Sequence, residues 1–280
     1  MQNPFKPTAG KNPPVLIGRD VVIAEFVEGI ENGPGAPGRL MRIAGMRGMG
    51  KTVMLNEIGR RAREMGWAVI EETASPGFCD RILASATPGA RVRSVVAGPA
   101  VLGVSLGSVE MERVALSLRD ALTALASKRG GGLLVTLDEV QDASLEEMRA
   151  LAVAIQHVIR DDGNIAFVFA GLPSMIDSVV NGKTLTFLRR AVPMDLGPVS
   201  VSEAAISMKR TMVGSGLELS DGLARVLADA TQGYPFMIQL VGYHVWQLAH
   251  RAEARMIDED AAHDGIALAR DRFDRTVTEP

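Results

Sequence analysis

The chain has 280 residues and a mass of 29.8 kDa, enough for one large domain or two unequal ones. Hydrophobic residues make up 47% and charged residues 22%, which excludes a disordered chain. A net charge of −3 excludes a surface that is basic all over and built to grip nucleic acid, although one local basic patch is still allowed.

Aromatic residues are scarce, at 4%, so the core has to be assembled from Ala, Val, Leu, Ile and the 14 Met. A single cysteine, Cys79, rules out an internal disulfide and a Cys-based zinc finger. The four histidines, His157, His244, His250 and His263, show no metal-ligand spacing. No apolar run approaches the roughly 18–20 residues that span a bilayer. The opening MQNPFKPTAGKNPP lacks the apolar stretch of a signal peptide. The chain therefore reads as a cytoplasmic protein of a reducing compartment, with no membrane partner.

Residues 1–14, with four prolines and few apolar residues, predict an extended arm rather than a packed element. From Val15 to Ile30 the apolar spacing predicts a first helix after Gly18-Arg19-Asp20, with Asp20 as its N-cap. The turn-rich Gly33–Gly38 leads into a short buried strand, Leu40–Ala44, that runs directly into Gly45. Residues 51–65 carry Val53, Met54, Leu55, Ile58, Ala62 and Met65 on one broad apolar face, the mark of a helix ended by Gly66. Ala68–Ile70 is the next strand. Residues 80–108 are ambiguous, with a hairpin insertion as one reading. Helix returns at about 110–128, followed by a buried strand, Leu133–Leu137, that ends in Asp138-Glu139. A helix over about 144–160, a strand over Ile165–Ala170, a short helix near 173–190 and a strand over Val192–Leu196 complete this part.

Strands alternating with helices imply βαβ units, and buried parallel strands read as continuous apolar runs, as these do. After Pro198 the strands disappear. Residues 201–213, 220–231, 235–250 and 258–275 are helical by period, with Ser220 and Asp258 as N-caps. The predicted division is a nucleotide-binding core over 1–198 and a helical lid over 199–280.

The chemistry concentrates at Gly45-Met46-Arg47-Gly48-Met49-Gly50-Lys51-Thr52, which fits GxxxxGK[ST] at every defined position. A loop that wraps phosphates needs residues without Cβ so that successive backbone N–H groups can point inward. The Lys51 ammonium is placed to reach the β- and γ-phosphates, and the Thr52 hydroxyl to complete a Mg²⁺ coordination shell. The following helix adds its positive N-terminal end. Asp138, at the end of a strand expected to neighbour the one bearing the phosphate loop, is the metal-side carboxylate. Glu139 is placed to polarise an attacking water. Gly182-Lys183-Thr184 repeats the GKT triplet but carries Asp177 where the first glycine belongs, and reads as a helix interruption. Gly103–Gly107 fits GxSxG, yet a hydrolase of that kind leaves the phosphate loop unexplained.

These motifs resemble those of the additional-strand P-loop ATPases, the AAA+ and STAND group, and most of all bacterial AAA family proteins related to archaeal origin-recognition-like ATPases. The fold expected is α/β: a three-layer P-loop NTPase core with a parallel sheet, followed by a small all-α lid. Val15-Leu16-Ile17-Gly18-Arg19-Asp20 resembles the family's GR[DE] box, which implies that Ile17, Gly18 and Arg19 hold the adenine. Arg47-Gly48-Met49-Gly50-Lys51-Thr52-Val53 is similar to its phosphate loop. Gly233-Tyr234-Pro235 resembles the lid turn whose proline, here Pro235, packs near the adenine. Arg189 or Arg190, just before the last core strand, stands where such proteins carry an arginine finger. Two surface arginines in a chain with 24 Arg and 6 Lys would look the same.

Two departures are visible. The end of the fourth strand, Phe169-Ala170-Gly171, lacks the polar residue of a γ-phosphate sensor, the nearest hydroxyl being Ser174. Members of this kind commonly continue into a winged helix after the lid, for which this chain has no room. The resemblance implies ATP as ligand, Mg²⁺ as cofactor and a nucleotide-dependent homo-oligomer, and it leaves DNA open as a partner, although no winged helix lies within this chain. Three functions stay open: Mg-dependent ATP hydrolysis driving a molecular switch, a switch that holds nucleotide with negligible turnover, and a small-molecule phosphotransferase. Trp246 is expected in the core, with His244, His250 and Tyr243 packing around it. Arg60, Arg61 and Arg63 are expected on a solvated face.

Overall fold

The computed structural model describes residues 2–8, 10–87, 106–127, 131–181 and 185–278. The GKT triplet at 182–184 lies outside them, as does the GxSxG stretch apart from Leu106 and Gly107, which begin a helix. The chain forms two compact units. One gathers Val22–Ala44 and Leu55–Asp195, the other Met1–Val21, Gly45–Met54 and Leu196–Pro280.

The larger unit is built on a five-stranded sheet: β1 (Leu40–Gly45), β2 (Ala68–Thr73), β3 (Leu133–Asp138), β4 (Ile165–Gly171) and β5 (Val192–Leu196), in the order β2-β3-β4-β1-β5. The pairs β2/β3, β3/β4 and β1/β4 are parallel. β4 therefore stands between β1 and β3, and the strand ending in Asp138 is not the neighbour of the strand leading to the phosphate loop. A buried strand is apolar on both faces, so its sequence carries no mark of which strand lies beside it.

Every residue of β3 and β4 is buried. On one face Leu133, Val135, Leu137, Ile165, Phe167 and Phe169 join a core with α3 (Phe78–Ala86), α4 (Leu106–Ala126) and α5 (Leu145–Arg160). Ser144 caps α5 by accepting from Glu147 N. The alternate residues Leu134, Val168 and Ala170 are buried too. The helices outside that core, α1 (Asp20–Glu31) and α2 (Lys51–Glu64) from Leu55 onward, bring their own buried Phe26, Ile30, Ile58 and Ala62. Layers on both sides of a parallel sheet are what the apolar runs imply.

Three expectations change here. Helix α3 begins at Phe78, so the first part of the ambiguous stretch is helical rather than part of a hairpin: Phe78, Ile82 and Ala86, four apart, all face the core. The helix expected near 173–190 is α6 (Pro173–Asn181) and a separate 3₁₀ turn, Thr186–Arg190. Helix α1 starts at Asp20 itself, one residue earlier than a cap at that position requires.

Arg39 ties this unit together from inside. It is 5% exposed and spends its guanidinium on Gly29 O and Ile30 O, both at 2.8 Å, and on Asn164 Oδ1 at 2.5 Å. The two carbonyls lie in the last turn of α1, where a cation meets the negative end of the helix, and Ile30 O also accepts from Gly33 N at 3.3 Å. The same guanidinium lies 5.0 Å from the centroid of the Trp67 ring, and burial pulls its pKa down.

In the smaller unit four helices, α7 (Val201–Gly214), α8 (Asp221–Thr231), α9 (Pro235–Arg251) and α10 (Glu259–Phe273), enclose a second core around Met208, Leu227, Leu240, Val245 and Trp246. Ser220 and Asp258 cap α8 and α10 as predicted, accepting from Leu223 N and Ala261 N. Trp246 is buried, donates to Ser215 Oγ at 2.8 Å and stacks on His250 with centroids 4.5 Å apart. The N-terminal arm is extended but, against expectation, packed. Phe5 is 2% exposed and fills a notch at Gly242, where a Cβ would stand 2.2 Å from its ring. Asn3 Nδ2 donates to Tyr243 O, and Gln239 Oε1 accepts from Lys6 N. One aromatic among prolines gives no periodicity to read.

Arg39→Ala strips the guanidinium from Gly29 O, Ile30 O and Asn164 Oδ1 and leaves Ile30 O only its bond from Gly33 N, and we expect it to cost about 3 kcal/mol. The urea midpoint measures this. Arg39→Lys is expected to recover less than half, because an ammonium cannot reproduce the fork.

Candidate functional site

Gly45 closes β1, and the loop that follows belongs to the smaller unit. Gly48 and Gly50 have φ of +79° and +90°, values open to glycine at little cost, which is why the loop needs them. Lys51, the first residue of α2, is 5% exposed, and its ammonium turns back to Gly45 O at 3.0 Å and Met46 O at 3.4 Å. Thr52 and Val53 follow on the same helix, half-buried, at its positive end. Met49 is buried and Arg47 exposed.

The residues expected around an adenine are brought together in the same unit. Gly18, with φ +62°, lies against Val199: a Cβ there would stand 3.1 Å from Val199 Cγ1. Gly233, with φ +72°, approaches the same residue so closely that a Cβ would be 2.0 Å from Val199 O, and Val199 N donates to Gly233 O at 2.9 Å. Pro235 opens α9 immediately after, and Ile17 packs against the helical core. Val199 thus joins the two glycine turns. An apolar residue in a linker offers no signal by which the sequence could have marked it.

Arg19 is the buried cation of this group, 8% exposed, and feels the charge of Glu203. Burial lowers its pKa, and Glu203 offsets this in part. Its Nη2 donates to Gly197 O at 2.7 Å and to Met49 O at 3.2 Å. The Tyr234 hydroxyl donates to Arg47 O.

Asp138, Glu139, Arg189 and Arg190 belong to the larger unit. Asp138 ends β3 in register with Thr73 of β2, is 8% exposed, and accepts from Glu139 N at 2.9 Å. Glu139 turns the chain off the strand with φ 54° and ψ 46°, a left-handed conformation that L-residues with long side chains seldom hold. Its Oε2 accepts from Gln141 Nε2, and Gln141 Oε1 accepts from Leu172 N at 3.4 Å. Gln141 was not legible as a site residue, although a polar side chain two positions beyond an acidic strand end was the available signal. The turn that carries it also explains the apolar end of β4, chiefly through Val140. At Gly171 a Cβ would stand 2.7 Å from Val140 Cγ2 and 3.2 Å from Gln141 Oε1, so no side chain fits there. Ser174 is exposed, in the first turn of α6. Arg189 and Arg190 are exposed on the 3₁₀ turn before β5.

Cys79 stands apart from both groups. Its Sγ donates to Glu147 O at 3.3 Å, and burial, with Glu147 and Asp80 nearby, pushes the thiol up to about 12. Among the described residues no helix is long and apolar enough to cross a membrane, and no cluster of three His, Cys, Asp or Glu is placed to hold a metal.

The family model for the AAA ATPase domain matches residues 15–168. Among solved structures, the ORC2 protein of Aeropyrum pernix, in ADPNP-ADP complexes, superposes with a TM-score of 0.67 at 16% identity, over 94% of this chain and 70% of that one. Cdc6p of Pyrobaculum aerophilum gives 0.63 at 16% identity, over 92% and 69%. The Thermotoga maritima RuvB Holliday junction branch migration motor gives 0.58 at 17%, over 90% and 69%. At these identities the likeness is one of fold. No curated protein matches the chain.

The left-handed Glu139 should show as stored strain. Glu139→Gly is expected to raise the free energy of unfolding by up to about 1 kcal/mol, measured by urea titration. A fall in stability would mean that its bond to Gln141 outweighs the backbone cost.

Proposed function

Because the chain belongs to the AAA ATPase domain family, we propose that it binds ATP with Mg²⁺ and hydrolyses it to ADP and phosphate, as a nucleotide-driven molecular switch. The core of 1–198 would hold the nucleotide, and the lid of 199–280 would respond to it. The observation that carries this reading is the phosphate loop: two glycines at positive φ, and a buried ammonium resting on loop carbonyls in the position from which it would turn to a phosphate.

Each residue then has a chemical role. The N–H groups of Gly48 and of Gly50 to Val53 donate to phosphate oxygens at the positive end of α2, while that of Met49 is taken by Met46 O. Lys51 exchanges its carbonyl partners for phosphate, and keeps that charge as it shifts during transfer. Ile17, Gly18, Arg19 and Pro235 border the adenine. The Thr52 hydroxyl and the Asp138 carboxylate would hold Mg²⁺, which supplies neutralising charge to the phosphates when bound. Glu139 accepts a proton from the attacking water, its carboxylate oriented by the Gln141 amide. Arg189 or Arg190 would complete the site of a second copy, a role for an exposed cation next to the sheet edge. The solved ADPNP-ADP complexes belong to the Aeropyrum protein, and they support a nucleotide as the ligand class here.

A second reading, a switch that holds nucleotide with negligible turnover, draws on the end of β4, which leaves no room for a polar sensor at Gly171.

ATP turnover and binding, measured across a protein concentration series, separate these readings. Lys51→Ala is expected to weaken ATP binding roughly 100-fold. Glu139→Gln should keep binding and lose turnover by about 10²-fold or more. Turnover per chain that rises with concentration, and that falls in Arg189→Ala or Arg190→Ala, marks a shared site. Tight binding without turnover in the wild type leaves the holding switch.

A further inference from the structure

The glycines that let the phosphate loop take its shape also leave it free to lose that shape, since glycine crosses φ/ψ space at little cost. A loop meant to present N–H groups to an anion must turn the matching carbonyls away, and each of those needs a donor of its own. Two of them have one here, from side chains far away in sequence. Met49 O accepts from Arg19 Nη2 at 3.2 Å, and the same nitrogen donates to Gly197 O at 2.7 Å, beyond the end of β5. Arg47 O accepts from the Tyr234 hydroxyl.

The peptide plane converts these bonds into an aim. In a trans peptide the N–H of one residue points opposite to the C=O of the residue before it, and the plane does not twist. Holding the Arg47 carbonyl therefore fixes the direction of the Gly48 N–H, and holding the Met49 carbonyl fixes that of the Gly50 N–H. Those two are the positive-φ glycines of the loop. Both clamps are themselves braced. Arg19 is 8% exposed and cannot swing out without abandoning Gly197 O. The Tyr234 ring sits edge-on against Phe273, centroids 5.5 Å apart, and lies so close over Gly48 that a Cβ there would be 2.7 Å from the hydroxyl.

We propose that Arg19 and Tyr234 are positioning residues for the nucleotide phosphates, acting by holding the Arg47 and Met49 carbonyls so that the Gly48 and Gly50 N–H groups face the anion. This rests on the nucleotide-binding reading above and adds to it. Arg19 serves the phosphate loop as well as the adenine side, and the lid turn contributes a residue to phosphate affinity. Because Tyr234 is seated on Phe273 at the end of α10, the order of the loop depends on the helical core that holds α10 in place.

The test is the dependence of affinity on the number of phosphates. Kd values for AMP, ADP and ATP are measured by calorimetry for the wild type, Tyr234→Phe and Arg19→Met, with thermal unfolding alongside. Tyr234→Phe keeps the ring on Phe273 and Gly48 and removes only the hydroxyl. It is expected to weaken ADP and ATP roughly fivefold, the loss of one hydrogen bond, and to leave AMP within about twofold, with the melting temperature unchanged. Arg19→Met is expected to act in the same direction and further. If it does not fold, the tyrosine variant decides alone. Equal losses for AMP and ADP place Tyr234 on the adenosine portion or in general stability and overturn the proposal, as does no loss at all. A wild type that binds none of the three overturns the nucleotide-binding reading, and this inference with it.

Discussion

A loop that wraps phosphates has to be bare of side chains on its inner wall and yet hold one conformation, two demands that glycine meets and violates at once. In this chain the conflict is settled from outside the loop. Covalently, the loop hangs from β1, a strand enclosed between β4 and β5. Its carbonyls are taken by Arg19 from the N-terminal segment and Tyr234 from the turn before α9. Its lysine lies back on Gly45 and Met46. The compact unit that contains the loop is accordingly made of the arm, the loop and the C-terminal helices, while the sheet that launches it belongs to the other.

The same logic of borrowed partners governs the acidic end of β3. Glu139 leaves the strand in a left-handed turn, which throws Val140 and Gln141 back toward the end of β4. The turn fills the space in which a side chain at position 171 would stand, and it gives the Glu139 carboxylate an amide donor. The apolar end of β4 follows from this turn: the space that a side chain at position 171 would need is taken by Val140, with the Gln141 amide beside it.

Much of this was legible in the sequence where a physical constraint leaves a local mark. The phosphate loop is a run of fixed positions, the buried strands are apolar without alternation, and Ser220 and Asp258 announce helix starts because a capping side chain must sit at one place. What escaped has no local mark. The order of strands depends on packing between distant segments, so the insertion of β4 between β1 and β3 leaves no trace in the sequence. Phe5 is buried by Gly242, more than two hundred residues away, and nothing beside it says so. Helix α3 offered only nine residues between Gly77 and the stretch beyond Thr87, too short for its period to stand out. Val199 and Gln141 matter through contacts across the fold, and a single sequence does not record those.

The two tryptophans of the chain fall one to each unit. Trp67 lies beneath the Arg39 guanidinium in the larger unit, and Trp246 lies on the His250 ring in the smaller. Each indole is buried, and each is pinned by a partner that only the folded unit supplies. The protein thus carries a separate optical reporter for each half of its architecture. With one tryptophan replaced by phenylalanine, the emission of the other follows a single unit through a denaturant series. Coincident curves would make the molecule one cooperative system, and separated curves two, so the question of whether the sheet and the helices fold as one is already written into its fluorescence.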